Sequence, residues 1–413
     1  MVLITTVMKK FLSIRIITKG KSKMYTLLIA IIYLAFVSLG LPDSLLGSAW
    51  PIMHQEINAS ISFMGAIYVI VSLSTIASSL LSHRLTKKFG TKWVTTISVF
   101  VSAIALLGFS YCKSIWSILV FAIPYGLGAG GIDAALNNYV AIHYNSKHMS
   151  WLHCFWGVGT IISPFVMSYS LSHSSWNVGY RIISLVQICI GVVLLFSTPL
   201  WKVNENNTIS KEKKSNSLTI IEALKIKGVP TLLTGFFAYC ATESTAIAWS
   251  CTYLVEAKNI PEATAAALAS SFFIGITFGR FLGGFIMDKF GDRKMILMGT
   301  CILLIGILLM LVPSSNITLS LIGLIVCGLG CAPIYPCIMH STPKNFGTEN
   351  SGAIIGIQMA CAYLGSTIMS PLFGVIGKLL GFGLFPIYIL LFAVLMLIML
   401  EKTFELTNSG RNL

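Results

Sequence analysis

The chain has 413 residues, of which 55% are hydrophobic and only 10% are charged, and its formal net charge is +14. A soluble globular protein carries about a quarter charged residues, so this composition excludes an ordinary soluble domain. It indicates a protein built for the membrane.

Long apolar runs recur along the whole chain. A helix needs about 20 apolar residues to cross a hydrocarbon core of roughly 30 Å, and twelve runs meet this requirement. In chain order, the predicted spans cover residues 24–54, 61–82, 94–112, 115–141, 150–172, 180–200, 230–256, 263–287, 295–312, 316–340, 350–377 and 380–400.

Polar segments flank these spans and divide them. Residues 1–23 form a basic N-terminal segment, which either lies along the membrane surface or precedes a true translation start at Met24. Residues 201–229 form the longest polar stretch, a predicted cytoplasmic linker with a short surface helix near its end. We therefore expect one bundle at 24–200, another at 230–400 and a cytoplasmic tail at 401–413.

The basic residues follow the topology of the spans. All but four of the 28 Lys and Arg residues fall on one side, the exceptions being Lys113, Arg181, Lys258 and Lys378. Cytoplasmic loops of membrane proteins carry such an excess, so both termini are predicted to be cytoplasmic, in a bacterial cytoplasmic membrane. The positive charge is explained by topology, and no nucleic acid partner is expected.

The two halves of the chain repeat each other at an offset of about 200 residues. Gly90 corresponds to Gly291, Gly126 to Gly328, Asp43 to Glu243, and Trp50 to Trp249. Such repeats are typical of secondary transporters. They predict an all-α membrane protein with twelve transmembrane helices in two pseudo-symmetric six-helix bundles.

One loop resembles a family signature. The stretch "GGFIMDKFGDRK" is similar to the loop motif of the major facilitator superfamily, carried here by Gly284, Asp288, Lys289, Gly291 and Arg293. The stretches "GLPDSLLGSAWP", "GLGAGGIDAALNNYV", "LHCFWGVGTIISP" and "FFAYCATESTAIAWSCTYL" resemble the fucose, galactose and glucose/proton symporters within it. The first-half copy of the loop departs from the motif, with His83 and Lys87 at two signature positions, so asymmetric gating is expected.

Three acids lie near the middle of predicted spans: Asp43, Asp133 and Glu243. An ionised carboxylate is costly there, so each should face an aqueous cavity, find a partner or carry a proton. All three acids, Glu243 included, are therefore candidates for proton coupling. The structural alternative is a hydrogen bond to another helix. The resemblance implies proton coupling and sugar binding for Asp43 and Asp133, and it likens Glu243 to an acid found in the seventh span of some relatives.

Polar and aromatic side chains lie on the same helix faces as these acids, or at the positions that correspond to the acids in the other half of the chain. Amides and hydroxyls can hydrogen-bond a polyol, and aromatic faces can stack on a sugar ring; for each aromatic residue, packing or interface anchoring is the alternative. The substrate-binding candidates are Trp50, Asn137, Asn138, His153, Trp156, Tyr239 and Tyr335. Asn138 points about 100° away from Asn137 and is the weaker candidate.

The loop after the eighth span supplies candidates for gating. Asp288 is expected to hold the N-terminus or a basic residue of another helix, and Gly284, Gly291 and Arg293 complete the motif. Arg280 lies roughly 12 Å before Asp288 along the helix. It is expected either to snorkel to the cytoplasmic interface or to pair with an acid when the cavity closes.

The sequence therefore predicts a secondary transporter for proton-coupled uptake of a neutral sugar or polyol, working as a monomer in the bilayer. Efflux of lipophilic cations remains the main alternative, and a solute sensor is a further one. An intramembrane aspartyl protease is disfavoured because "GGID" lacks the G-x-G-D pattern. The metalloprotease, P-loop and dinucleotide signatures are absent, so no enzyme activity, cofactor or metal is expected.

Overall fold

The computed structural model of the chain describes residues 24–60, 63–197, 199–201, 218–312 and 317–408. The predictions for residues 1–23, for most of the linker and for the end of the tail lie outside the described residues. Within them, every regular element is a helix.

Twelve long helices follow one another in the described part of the chain. They are α1 Met24–Glu56, α2 Phe63–Phe89, α3 Thr91–Phe109, α4 Ile115–His143, α5 Ser146–His173, α6 Trp176–Phe196, α7 Val229–Lys258, α8 Glu262–Phe290, α9 Asp292–Leu311, α10 Ile317–Phe346, α11 Thr348–Leu380 and α12 Phe385–Asn408.

Eleven of these twelve helices are long and apolar enough, over the described residues, to cross a membrane. The exception, α7, has 30 residues but is less apolar, because threonines, serines and Glu243 interrupt it. Several helices continue past the predicted apolar spans: α2, for example, ends at Phe89 and not near residue 82. The predicted all-α, twelve-helix fold is confirmed.

The first half (α1–α6) and the second half (α7–α12) pack together mainly along α2 with α11 and along α5 with α8. A six-residue helix, Ile220–Lys225, precedes α7 and begins with a capping box between Thr219 and Glu222. We call the end of the molecule where this helix lies the linker end, and the other end the far end.

Two spans are irregular near their middle. In α1, helix 24–40 gives way to a turn at 41–44 before Leu45–Glu56, because Pro42 has no N–H to continue the helical bonding. In α11, the α-helix changes to a π-helix at Gly365–Met369, just before Pro371. Such breaks often mark functional sites, and the first of them holds Asp43.

The repeat seen in the sequence is present in the packing. Gly126 of α4 lies against the carbonyl of Val71 in α2, and Gly328 of α10 lies against the carbonyl of Phe272 in α8. Gly90 and Gly291, which end α2 and α8, both have positive φ angles, of 82° and 78°, which glycine adopts without steric cost. Equivalent glycines therefore allow the same close helix contacts and the same turns in each half.

We predict that Gly126→Ala destabilises the first half by about 1–3 kcal/mol, the usual cost of overpacking, because its Cβ would collide with the α2 backbone. Gly65→Ala is the control, since no atom lies within 4 Å of the Cβ it would add. Thermal unfolding of the purified variants in detergent measures both. Equal stability of the two variants would contradict this packing argument.

Candidate functional site

A cavity of about 250 Å³ lies between the two halves. Its walls come from α1, α2, α4 and α5 of the first half and from α7, α8, α10 and α11 of the second. Its polar and aromatic lining residues are Phe36, Asp43, Thr75, Tyr125, Asp133, His153, Trp156, Glu243, Ser244, Arg280, Tyr335, Tyr363 and Ser366. The three acids noticed in the sequence therefore share one chamber.

Asp43 lies in the α1 turn and accepts two hydrogen bonds from neutral donors. The Tyr125 hydroxyl donates to Oδ1 at 3.1 Å, and the Trp156 indole N–H donates to Oδ2 at 2.8 Å. The turn brings the carboxyl group out of the regular helix and towards α4 and α5. Both of its carboxylate oxygens are therefore occupied without a cation.

Asp133 is also contacted by neutral donors, one of them from the other half. The Asn137 amide donates to Oδ1 at 2.7 Å, and the Tyr363 hydroxyl of α11 donates to Oδ2 at 3.3 Å. Because Asn137 uses its NH₂ group in this bond, its Oδ1 accepts from His153 Nε2 at 3.1 Å. The His153 ring in turn meets Tyr335 edge-on, with 4.5 Å between ring centroids.

Glu243 differs from the other two acids because it is paired with a cation. Arg280 Nη2 donates to Glu243 Oε1 at 2.9 Å, and Arg280 is only 4% exposed. The guanidinium carbon lies 5.7 Å from the centre of the Trp156 ring, within cation–π range. The expectation that Arg280 snorkels to the interface is wrong, since a partner for its charge is available inside.

Trp50 does not line the cavity, which corrects its assignment to the substrate site. It is 2% exposed and packs in the apolar core of the first half. Its assignment assumed that α1 is a continuous helix from Asp43 onward, but the turn at 41–44 shifts the helical phase.

Three other substrate candidates lie behind the cavity wall. Asn137 is fully buried and supports Asp133 and His153. Tyr239 is fully buried and donates to the Cys331 carbonyl at 3.0 Å. Asn138 accepts from the Ser351 hydroxyl at 2.8 Å, across the boundary between the halves. Of the predicted substrate residues, His153, Trp156 and Tyr335 face the cavity.

Tyr125 and Tyr363 were missed by the sequence analysis. Tyr125 lies about two helical turns before Asp133 on α4, a spacing that could have drawn attention to it. Tyr363 lies on α11, which carries no acid in its central part, so only the packing of the halves reveals its contact with Asp133.

At the linker end, Asp288 joins the two halves. Its carboxylate accepts from the backbone N–H of Lys147 at 3.2 Å, and the Lys147 ammonium lies 3.7 Å away. Lys147 is in the first turn of α5, so the acid of one half meets both the N-terminus and a basic residue of the other. Helix N-termini favour such negative charges.

The other signature residues of this loop have local roles. Gly284 gives room to the Trp151 ring of α5, and Gly291 forms the turn between α8 and α9 with positive φ. Arg293 pairs with Glu401 of α12 at 2.5 Å, within the second half. This ion pair of Arg293 does not join the two halves.

A second, more buried cluster at the linker end centres on Asp292, a residue that the sequence analysis did not select. Ser146 donates to Asp292 Oδ1 at 2.6 Å across the halves. His340 and Lys344 of α10 contact the same carboxylate at 2.9 Å each, and His340 Nε2 bonds the Tyr144 carbonyl of the first half at 3.0 Å. The Ser146 and His340 contacts join the two halves at the linker end.

Nothing in the described residues suggests a metal centre. No group of three or more His, Cys, Asp or Glu side chains is arranged there to hold a metal ion. The ten cysteines are unpaired.

We predict that Glu243→Gln destabilises the protein by about 3–5 kcal/mol, because Arg280 would be left as a buried charge without its partner. The double variant with Arg280→Gln should lose less than the sum of the single variants. The same cycle on the more exposed Arg293–Glu401 pair is the control, where about 1 kcal/mol or less is expected. Denaturant titration measures both cycles, and additive losses at Glu243 and Arg280 would refute the coupling.

We predict that Asp292→Asn opens the linker end more than Asp288→Asn does. The Asp292 side chain is 6% exposed and has three side-chain partners, whereas the Asp288 side chain is 32% exposed. The measurement is the rate of labelling, from the linker side, of a cysteine introduced at Ser351 in a cysteine-free background. Equal rates in both variants would contradict the importance of the buried cluster.

Comparisons with known proteins agree with this architecture. The sequence matches the family model described as Major Facilitator Superfamily over residues 32–237 and 231–411. The glucose/mannose transporter GlcP of Bacillus subtilis is 23% identical over 348 residues, which cover 83% of this chain and 86% of that protein. Bypass of stop codon protein 6 of Saccharomyces cerevisiae is 23% identical over 395 residues, covering 85% and 77%.

Solved structures share the fold. The fucose:proton symporter FucP of E. coli has a TM-score of 0.69 at 20% identity, with 92% of this chain and 98% of that chain covered. The proton:xylose symporter XylE has a TM-score of 0.74 at 12% identity, with 91% and 96% covered. The family resemblance seen in the sequence is confirmed, and so is the expectation of a transporter in place of an enzyme. This chain belongs to the major facilitator superfamily and is a multi-pass membrane transporter.

Proposed function

We propose that the protein takes up a small neutral sugar or polyol together with protons, by alternating access of the central cavity. The observation that carries this proposal is that Asp43, Asp133 and Glu243 line one chamber between the halves, together with hydrogen-bonding and aromatic groups. Such groups inside a membrane protein are costly and are typically kept for transport.

The size and lining of the cavity favour a small polar solute. Its volume of about 250 Å³ is below the roughly 300–1,000 Å³ of sites for drug-sized ligands. Trp156, His153 and Tyr335 offer ring faces and edges, and Ser244 and Tyr363 offer hydroxyl groups. This mixture suits a sugar, which has both hydroxyl groups and apolar ring faces.

The partners of the acids favour different roles for them. Asp43 and Asp133 are held by neutral donors, so a proton can neutralise either one without leaving a cation unpaired. Glu243 already balances the charge of Arg280. We assign the proton-carrying role to Asp43 and Asp133 and a counter-ion role to Glu243.

The alternative of cation efflux fits the cavity less well. The volume of about 250 Å³ is small for a drug-sized lipophilic cation. The similar proteins point the same way, since GlcP is a glucose/mannose transporter and FucP and XylE are symporters of protons with fucose and xylose.

The same proposal includes orientation and assembly. The basic residues concentrate at the linker end and favour a cytoplasmic location for it, in the cytoplasmic membrane of a bacterium. The cavity is formed by the two halves of one chain, which is consistent with a monomer as the working unit.

We predict that Asp43→Asn and Asp133→Asn each abolish proton-driven uptake while the protein still inserts into the membrane, because an amide side chain does not bind and release a proton near neutral pH. Uptake into proteoliposomes under an imposed pH gradient measures this effect. Glu56→Gln is the control, since Glu56 lies at the far end and accepts from Trp176. Wild-type accumulation by both Asn variants would disprove the proton-carrying assignment.

The solute itself can be identified by thermal stabilisation of the purified protein. A ligand that binds the native state raises its stability by mass action. Glucose, mannose, xylose, fucose, polyols and lipophilic cations form the test panel. Stabilisation by the cations alone would favour efflux over the proposed uptake.

A further inference from the structure

Trp156 touches both halves of the protein with two different parts of its side chain. Its indole N–H donates to Asp43 Oδ2 at 2.8 Å, within the first half. The face of the same ring lies 5.7 Å from the guanidinium carbon of Arg280, in the second half. Arg280 in turn pairs with Glu243 at 2.9 Å. One side chain thus connects a carboxyl group of one half with the charged pair of the other.

The backbone of Trp156 is fixed to the first half. Its carbonyl lies against Gly40 of α1, where any side chain at residue 40 would collide with it. One turn later, the Ser44 hydroxyl donates to the Thr160 carbonyl at 2.6 Å. These contacts hold the backbone of α5 against the α1 turn that carries Asp43. The ring of Trp156 is therefore the part that can change its position when the charge of Asp43 changes.

The two contacts of the ring depend on each other. A hydrogen bond to an ionised carboxylate is roughly twice as strong as one to a neutral acceptor, so an ionised Asp43 holds the indole more firmly than a protonated one. A cation–π contact requires the face of the ring to point at the cation. The charge on Asp43 therefore influences how well the ring faces Arg280.

We infer that Trp156 is the coupling residue that transmits the protonation of Asp43 to the Arg280–Glu243 pair, and thereby links proton binding to solute binding. This inference rests on the proposed proton-coupled function and adds a positioning role for Trp156. Coupling of this kind is reciprocal, because a solute that changes the pair also changes proton binding at Asp43.

Other titratable groups also face Asp43. They are Tyr125 and Asp133 from α4, Tyr68 from α2 and Tyr363 from α11. Trp156→Phe leaves all of them in place and retains an aromatic ring over Arg280. The variant therefore removes the N–H donor specifically.

The test compares two activities of the full chain in proteoliposomes, with whichever of glucose, mannose, xylose or fucose the wild type exchanges fastest. One activity is accumulation driven by a pH gradient, and the other is counterflow at equal pH. For Trp156→Phe, we expect the ratio of accumulation to counterflow to fall about fivefold or more. Sugar-induced thermal stabilisation of the same variant should also lose its pH dependence.

Trp151→Phe is the matched control. Trp151 lies five residues earlier on α5, and its indole N–H donates to the Phe281 carbonyl, outside the cavity. Its ratio of accumulation to counterflow should equal that of the wild type.

Two results for Trp156→Phe would overturn the inference. One is a ratio of accumulation to counterflow equal to that of the wild type. The other is a protein that neither binds nor exchanges sugar, because the N–H would then serve binding itself. A wild type that shows counterflow but no response to the gradient would instead overturn the proposed proton coupling.

Discussion

The structure depends on one physical constraint. Ionisable side chains in apolar helices must lie together in a shared polar site, because exposing their charges to lipid costs much free energy. An isolated charge in a low-dielectric medium is strongly disfavoured. Here Asp43, Asp133, Glu243 and Arg280, from four different helices, all line one chamber. The chamber exists because the two halves meet around these groups, and an arrangement with the same helices turned outward would expose them to lipid.

Close glycine packing determines which parts of the molecule are rigid. Gly126 and Gly328 bring α4 against α2 and α10 against α8 within their own halves, and such contacts leave no room for sliding. The boundary between the halves also has close glycine contacts, such as Gly356 against the Ser79 carbonyl. At the linker end it is held in addition by polar contacts such as Ser146 to Asp292 and Lys147 to Asp288. Polar contacts can be exchanged for water, so these are the contacts that a movement of the halves would replace.

The sequence predicted the spans, the repeat and the positions of the acids, because these are encoded locally by hydropathy and by spacing. It failed where the answer depended on three-dimensional packing. Trp50 was misplaced because a break in α1 changes the helical phase, and Tyr363 was missed because its partner lies 230 residues away. The interior position of Arg280 follows from the nearness of Glu243, which is 37 residues away and on a different helix.

The two halves have the same architecture but differ in the chemistry they bring to the cavity. The repeat relates Asp43 to Glu243, yet the first has only neutral donors and the second has Arg280. Symmetric acids with symmetric partners would take up protons alike. With a cation on one side only, a single proton can change the charge of the first half while the second stays balanced. In the proposed proton-coupled cycle, this difference would give the cavity two electrostatic states, and two states with different affinities for a solute are the requirement for coupled transport.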